Sequence, residues 1–371
     1  MPDRREFLGA LAAAAPFSVA ANAGSTPPVG MIPRETNPPN LETHPLDLRD
    51  EITRTDVFYV RNHFPTPKID AGSWRLRVEG SVQRPCTLTM DDIKKGPGVT
   101  RRLTMECAGN GRVFLTPKVR GVNWAQGAVG NAEWKGIPLA AVLDLVQPKA
   151  DAVDVVLEGA DVGQVIDEPR SPGPIAYARS LPITKARQAE VLLAYEMNGQ
   201  PLTPDHGWPL RAVVGGWYGM ASVKWLTRII VTSQPFQGFW QTMDYSEFAR
   251  VNGVPTMQPI TAMRVKSIVL TPIGTHRPST IDGVAWAGEH AVAKVEVSTD
   301  GGQTWKLATL VRKAEPFQWV HWKIDHLDYG PGVPTVMARA TDTAGNTQPM
   351  QRDGDRRTYQ INHVIPVSGA H

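Results

Sequence analysis

Cysteine is scarce in this chain: Cys86 and Cys107 are the only two in 371 residues. That count excludes a fold framed by several disulfides and any metal site built wholly from thiolates. No Cys-x-x-Cys-His haem-attachment motif occurs either. Excess charge is small, with 39 Lys and Arg against 36 Asp and Glu for a formal +3. No basic run interleaves with aromatics, so nucleic-acid binding has no electrostatic footprint. The apolar run from Leu8 to Ala21 is too short and too Ala-rich for a membrane span.

Glycine (33) and proline (32) are plentiful. They favour a β-rich, loop-rich architecture, and the length favours two domains. A Cys86–Cys107 disulfide stays open at this level. A chain this long can stand on its core without one, so Cys107 reads as a ligand and Cys86 as a packed or idle thiol.

Residues 1–23 read as a twin-arginine export signal. Arg4 and Arg5 precede the short apolar run, and Ala21-Asn22-Ala23 offers a small-residue cleavage site. Such a signal implies the periplasm and a cofactor inserted before export. Residues 24–54, rich in Pro and Asn, read as an extended surface arm. A strand is expected from Thr55 to His63, ended by Pro65 and Pro67, and another over Trp74–Gly80. Thr89 is expected to cap a short helix from Met90 to Lys94.

Val99–Met105 reads as a strand running into Cys107, followed by the small residues Ala108, Gly109 and Gly111. A thiolate at a strand end with Arg112 close behind suits a soft metal or an anion site. A buried structural cysteine before a loop is the alternative. Pro138 should open a helix with the core stripe Leu139, Val142, Leu143 and Val146. Val153–Glu158 reads as a strand ending near Asp161, which by default is a turn residue. A short helix over Leu181–Ala189 and a hairpin turning at Asn198-Gly199 lead into Pro204–Arg211.

In that last loop His206 and Arg211 are fixed on Gly/Pro-constrained backbone, the equipment a phosphate-bearing ligand wants. Ser222–Leu226 is expected on the next strand, where an inward Lys224 is costly unless it meets an anion. Asn252–Pro259 reads as a linker. From about Thr261 to Val367 short alternating strands separated by turns argue for an immunoglobulin-like sandwich.

Three runs carry a family resemblance: Phe58-Tyr59-Val60-Arg61-Asn62-His63-x-Pro65, Cys107-Ala108-Gly109-Asn110-Gly111-Arg112, and Asp205-His206-Gly207-x-Pro209-x-Arg211 followed by Val223-Lys224-Trp225-Leu226. Together they resemble the sulfite oxidase family, over most of the chain. The resemblance implies an α+β, β-rich fold. A molybdopterin-binding catalytic domain (55–255) would precede an immunoglobulin-like β-sandwich (256–371) that makes a homodimer contact. It implies one molybdenum and one molybdopterin per chain, with Cys107 as the protein's metal ligand. Cofactor contacts would come from Arg61, Asn62, His63, Asp161, His206, Arg211, Ser222, Val223 and Lys224. Arg61, Arg112, Tyr245 and Lys224 would handle a small sulfur oxyanion, with Trp124 and His290 at the substrate pocket. For Tyr245 a buried structural role competes.

The implied reaction is oxidation of sulfite to sulfate by oxygen-atom transfer, with electrons passing to an external acceptor such as cytochrome c. No haem or flavin is expected in this chain, which argues against nitrate reduction. Two departures from the animal and plant sulfite oxidases bear on the substrate. Gly111-Arg112 stands where they carry Arg-Arg, and His290 stands where they place an arginine. The Gly-Arg form is similar to the molybdenum subunit of sulfur dehydrogenases, which act on protein-bound sulfur. Such a dehydrogenase, or a sulfoxide reductase, is therefore the alternative within the fold. A non-enzymatic exported β-rich binding protein is the alternative outside it.

Overall fold

A computed structural model describes residues 30–273, 277–329 and 334–368. The export signal expected over residues 1–23 lies outside the described residues, as do residues 24–29 of the arm.

The strand leading to Cys107 runs Val99–Glu106 and pairs antiparallel with Val129–Pro138, Val99 opposite Gly136 and Glu106 opposite Val129. Its sheet continues through Val191–Met197 to Gln200–Pro201, while Arg211–Val214 pairs on Val191–Met197. A second five-stranded sheet orders Cys86–Leu88, Leu76–Gly80, Leu226–Thr232, Asp154–Gly163 and Ile175–Pro182. The helix Leu139–Val146 buries the expected stripe, Leu139, Val142, Leu143 and Val146. That stripe shares one apolar core with Leu76, Leu157, Leu193 and Ile229, so it joins the two sheets. Thr89 caps the Met90–Lys94 helix, and Asp92 completes a capping box with it.

The C-terminal part is two packed four-stranded sheets. One orders Lys266–Val269, Thr280–Trp286, Val320–Asp325 and Thr309–Leu310. The other orders Lys306–Leu307, Val292–Ser298, Thr335–Asp342 and Val367–Ser368. Val336, Ala338 and Ala340 face the core as their alternation predicts. On the neighbouring strand a bulge between Val292 and Lys294 turns Ala293 outward, while Val295 and Val297 stay inside.

The helix expected over Leu181–Ala189 is only Ile183–Ala186, Leu181 belonging to the strand before it. Four further segments differ from the sequence reading. The described part of the arm is no loose surface strap but a hairpin, Met31–Thr36 with Pro39–Thr43. It buries Asn40, Glu42 and Thr43, and the Glu42 carboxylate accepts from Gly127 N at 2.6 Å and Ala125 N at 3.0 Å. Thr55–His63 is not a strand: only Val60 bridges, to Leu41. Val57, Phe58, Tyr59 and Val60 are all buried, so the two faces the alternation implied do not differ in exposure there. The strand expected over Ser222–Leu226 begins only at Leu226. Trp225 just before it takes a left-handed φ of 51°. The supposed linker is a second hairpin, Ser246–Val251 with Val254–Pro259. Its turn residues Asn252 and Gly253 both have positive φ, the pair that two-residue hairpin turns favour.

Candidate active site

Cys107 sits where the strand Val99–Glu106 ends. Its N–H donates to Ala128 O at 2.9 Å and its carbonyl accepts from Asn110 N at 2.9 Å. Asn110 Oδ1 in turn accepts from Ala128 N at 3.1 Å. The turn is therefore closed on itself, and the buried cysteine helps line a cavity between the sheets. With the open solvent at its mouth included, the cavity and its opening hold about 630 Å³ of atom-free space. No disulfide joins the two cysteines; Cys86 is half-buried on a strand of the other sheet.

Arg61, Asn62, His63, Asp161, His206, Arg211, Ser222, Lys224 and Tyr245 line the same cavity as Cys107. Residues 150 apart in sequence thus converge on one thiol. Lys224 Nζ donates to Asp205 O at 2.8 Å and to Asn62 Oδ1, and lies 4.2 Å from the Trp225 ring centroid. The left-handed turn at Trp225 and the φ of +100° at Gly207 shape the backbone here. A Cβ on Gly207 would crowd Arg211 and Lys224 at 3.0 Å. Arg211 donates to His206 O and Ser222 O, both at 3.1 Å, and packs 4.9 Å from the Trp134 ring. His206 Nε2 lies 3.0 Å from Thr55 O.

Burial pushes the Lys224 ammonium downward, and the Arg211 charge adds to the shift. The carboxyl of Asp161 is pushed up by burial, against the pull of Lys224. Burial takes His206 down to about 3, helped by Arg211, so its imidazole is neutral near neutral pH. Arg211 falls only to about 10 and keeps its charge. Arg61, Arg211 and Lys224 face just two carboxylates, Asp161 and Asp205, on the cavity wall. The cavity is built for an anion.

His63 stacks on the Tyr177 ring at 4.7 Å and lies tilted against the Trp240 ring at 4.4 Å. Its Nε2 approaches the Tyr245 hydroxyl. Beneath Tyr245 the buried Arg179 donates to Trp240 O at 2.5 Å and Ile260 O at 2.8 Å.

Four expected site residues are not brought to this wall. Arg112 is tied behind it, donating to Val122 O at 2.8 Å and Thr358 O at 3.3 Å and lying 5.2 Å from the Tyr359 ring. Gly109 makes room for it, since a Cβ there would meet the guanidinium at 2.5 Å. Trp124 is buried one layer back, edge-on to Tyr59 at 6.5 Å. Val223 is buried in the core, its carbonyl accepting from Ala212 N at 2.8 Å. His290 is exposed in a separate cavity beside Glu289 and Arg356. Sequence reasoning missed Tyr59, Met105, Tyr177 and Asp205 on the wall. Asp205 and Tyr59 stood inside quoted motifs and were legible there; Met105 and Tyr177 carried no signal beyond an apolar strand pattern.

Among the described residues no group of three or more His, Cys, Asp or Glu could hold a metal. A metal at Cys107 would therefore draw its other ligands from a cofactor. The donor set fits an anionic cofactor: a thiol for a soft metal, surplus cations for phosphate, and the buried, unpartnered Asp161 Oδ1 for an N–H donor.

Residues 63–240 match the family described as oxidoreductase molybdopterin binding domain, and 257–359 the Mo-co oxidoreductase dimerisation domain. The chain is 35% identical over 341 residues to human mitochondrial sulfite oxidase, covering 84% of this chain and 60% of that protein. With chicken sulfite oxidase it shares 33% identity over 329 residues, 82% of this chain and 70% of the relative. The chain belongs to the sulfite oxidase family. The matched molybdopterin-binding domain implies a molybdenum cofactor held by molybdopterin. As a member of the sulfite oxidase family the chain spans about three fifths of the length of the human and the fruit-fly relatives. The crystal structure of the sulfane dehydrogenase SoxCD from Paracoccus pantotrophus superposes with a TM-score of 0.77 at 25% identity. That match covers 94% of this chain and 92% of the other. The α+β, β-rich fold with an immunoglobulin-like second part is therefore the family's own.

Proposed function

We propose that the protein oxidises sulfite to sulfate by oxygen-atom transfer at a molybdopterin centre ligated by Cys107, and passes the electrons to an external acceptor such as cytochrome c. The observation that carries this reading is the Cys107 side chain sharing one cavity with Arg61, Arg211 and Lys224. When bound, the molybdenum cofactor supplies the two-electron redox step and the oxygen exchange. His206, Arg211, Ser222 and Lys224 hold the cofactor's phosphate and pterin, and Asn62 and Asp161 supply acceptors beside them. Arg61 binds the substrate oxyanion without losing charge and fixes its orientation, as a guanidinium fork does. The Tyr245 hydroxyl is the neutral donor next to it. Arg112 acts from behind the wall, setting the Cys107 turn and the Tyr359 ring under Tyr245.

The reading includes a catalytic domain over 55–255, a sandwich over 256–371 that pairs two copies into a homodimer, and twin-arginine export to the periplasm. No helix among the described residues is long and apolar enough to cross a membrane.

A second reading, oxidation of another sulfur compound, is favoured by a specific observation. The match to SoxCD covers nearly all of both chains, and Gly111-Arg112 leaves one fewer cation at the Cys107 loop. Cytochrome c reduction measured with sulfite and thiosulfate side by side separates the two. Turnover with sulfite supports the first, turnover with thiosulfate alone the second, and no molybdenum in the purified protein sinks both.

A further inference from the structure

We propose that Lys266, on the first strand of the C-terminal sandwich, is a positioning residue for Cys107 and acts through Glu106. Glu106 is the last residue of the Val99–Glu106 strand, immediately before the cysteine, and neighbouring side chains along a strand point to opposite faces. While Cys107 lines the cavity, the Glu106 carboxylate meets the sandwich. Lys266 Nζ donates to Glu106 Oε1 at 2.9 Å, and Trp286 Nε1 donates to Oε2 at 2.9 Å. Asn110 Nδ2 adds a third bond to Oε1 at 3.1 Å. Lys266 and Trp286 face each other across paired strands, so one cross-strand pair presents both outside donors.

The same ammonium also donates to Asn110 O at 3.0 Å. Asn110 N closes the turn onto Cys107 O. Lys266 therefore grips the residue before the cysteine and the residue three after it. Both members of the ion pair are only 2% exposed. A buried ion pair is weak evidence for stability, because apolar replacements often hold a fold equally well. What four short bonds around two charges do fix is direction, here the direction in which the Cys107 side chain leaves the backbone. The sandwich is in this sense part of the active site, although Lys266 does not line the cavity.

The consequence for the metal rests on Cys107 being its ligand; the test does not. The full chain, prepared without cofactor, is treated with iodoacetamide, and alkylation is followed separately at Cys107 and Cys86. K266M alone strands a buried carboxylate and is strongly destabilising, so E106Q/K266M, which removes both charges, is the main variant. Alkylation at Cys107 is expected to rise about tenfold, the scale of losing hydrogen bonds to charged groups, with the Cys86 rate unchanged. W286F, which deletes one donor and leaves the ion pair, raises it less, by about threefold. It decides the matter alone if the double variant does not fold. An unchanged or slower rate at Cys107, or a parallel rise at both cysteines, overturns the proposal. Loss of the ligand reading would show differently, as molybdenum retained by purified C107S.

Discussion

His63 Nε2 lies 2.7 Å from the Tyr245 hydroxyl oxygen, joining residues 182 apart in sequence inside the cavity. Burial holds the imidazole well below its usual range, with Arg61 and Lys224 adding to the shift, so His63 is neutral. Burial raises Tyr245, so the phenol keeps its proton. Tyr245→Phe removes a hydroxyl that shares the cavity wall with Arg61 and is the hydrogen-bond partner of His63 Nε2. Turnover should fall by at least about tenfold, the scale of one donor aimed at developing charge. The KM should move much less. Steady-state kinetics check this, and an unchanged kcat would leave Tyr245 a packing residue.

Cys107→Ser changes one atom on the cavity wall. The melting temperature should stay close to the parent value, while molybdenum content and sulfite-dependent cytochrome c reduction are lost. Elemental analysis beside a thermal melt reads both, and full metal content in the variant would remove Cys107 from the centre.

Arg61 and Arg112 separate by placement. Arg61 lines the cavity, so Arg61→Gln should raise the KM for an anionic substrate about tenfold, the loss of one charge-assisted hydrogen bond. Arg112 spends its donors on the Val122 and Thr358 carbonyls. Arg112→Gln should therefore cost stability, about 1–3 kcal/mol for unmet buried acceptors, and shift the KM less. Paired urea titrations and kinetics test the contrast, which the opposite pattern would reverse.

The acid limb of stability should report His206. Its imidazole titrates at about 3 in the folded chain against 6.5 outside it, because burial and Arg211 oppose protonation. Between those values the unfolded chain binds the extra proton, so stability falls as pH drops from 6.5 toward 3. The loss is up to about 1.4 kcal/mol per pH unit. His206→Asn should flatten that slope relative to the parent. Denaturant midpoints at about pH 7 and about pH 5 measure it, and parallel slopes would refute the assignment.

Much of the scaffold was legible. Thr89 announced its helix by capping chemistry, the Leu139–Val146 stripe by period, and the strand before Cys107 by composition. Where the reading failed, burial was two-sided or local chemistry was overlooked. Val57–Val60 is enclosed on every side, so alternation had no meaning there. Asn252-Gly253 spelled a tight turn inside what looked like a linker. At the site the three motifs brought Arg61, Cys107, His206, Arg211 and Lys224 to one wall, but Arg112 stands next to the motif cysteine and points elsewhere.

By itself the sequence determined which residue types exist to serve the chemistry: one thiol at a strand end, an imidazole and guanidinium on constrained backbone, a lysine before a strand. Those follow from local rules of turn, period and charge. Which of them share a cavity was decided only by the tertiary structure, because side-chain direction depends on what each backbone packs against. Arg112 meets carbonyls 10 and 246 residues away. Glu106 meets a lysine 160 residues later. No window of neighbouring residues contains Thr358 or Lys266.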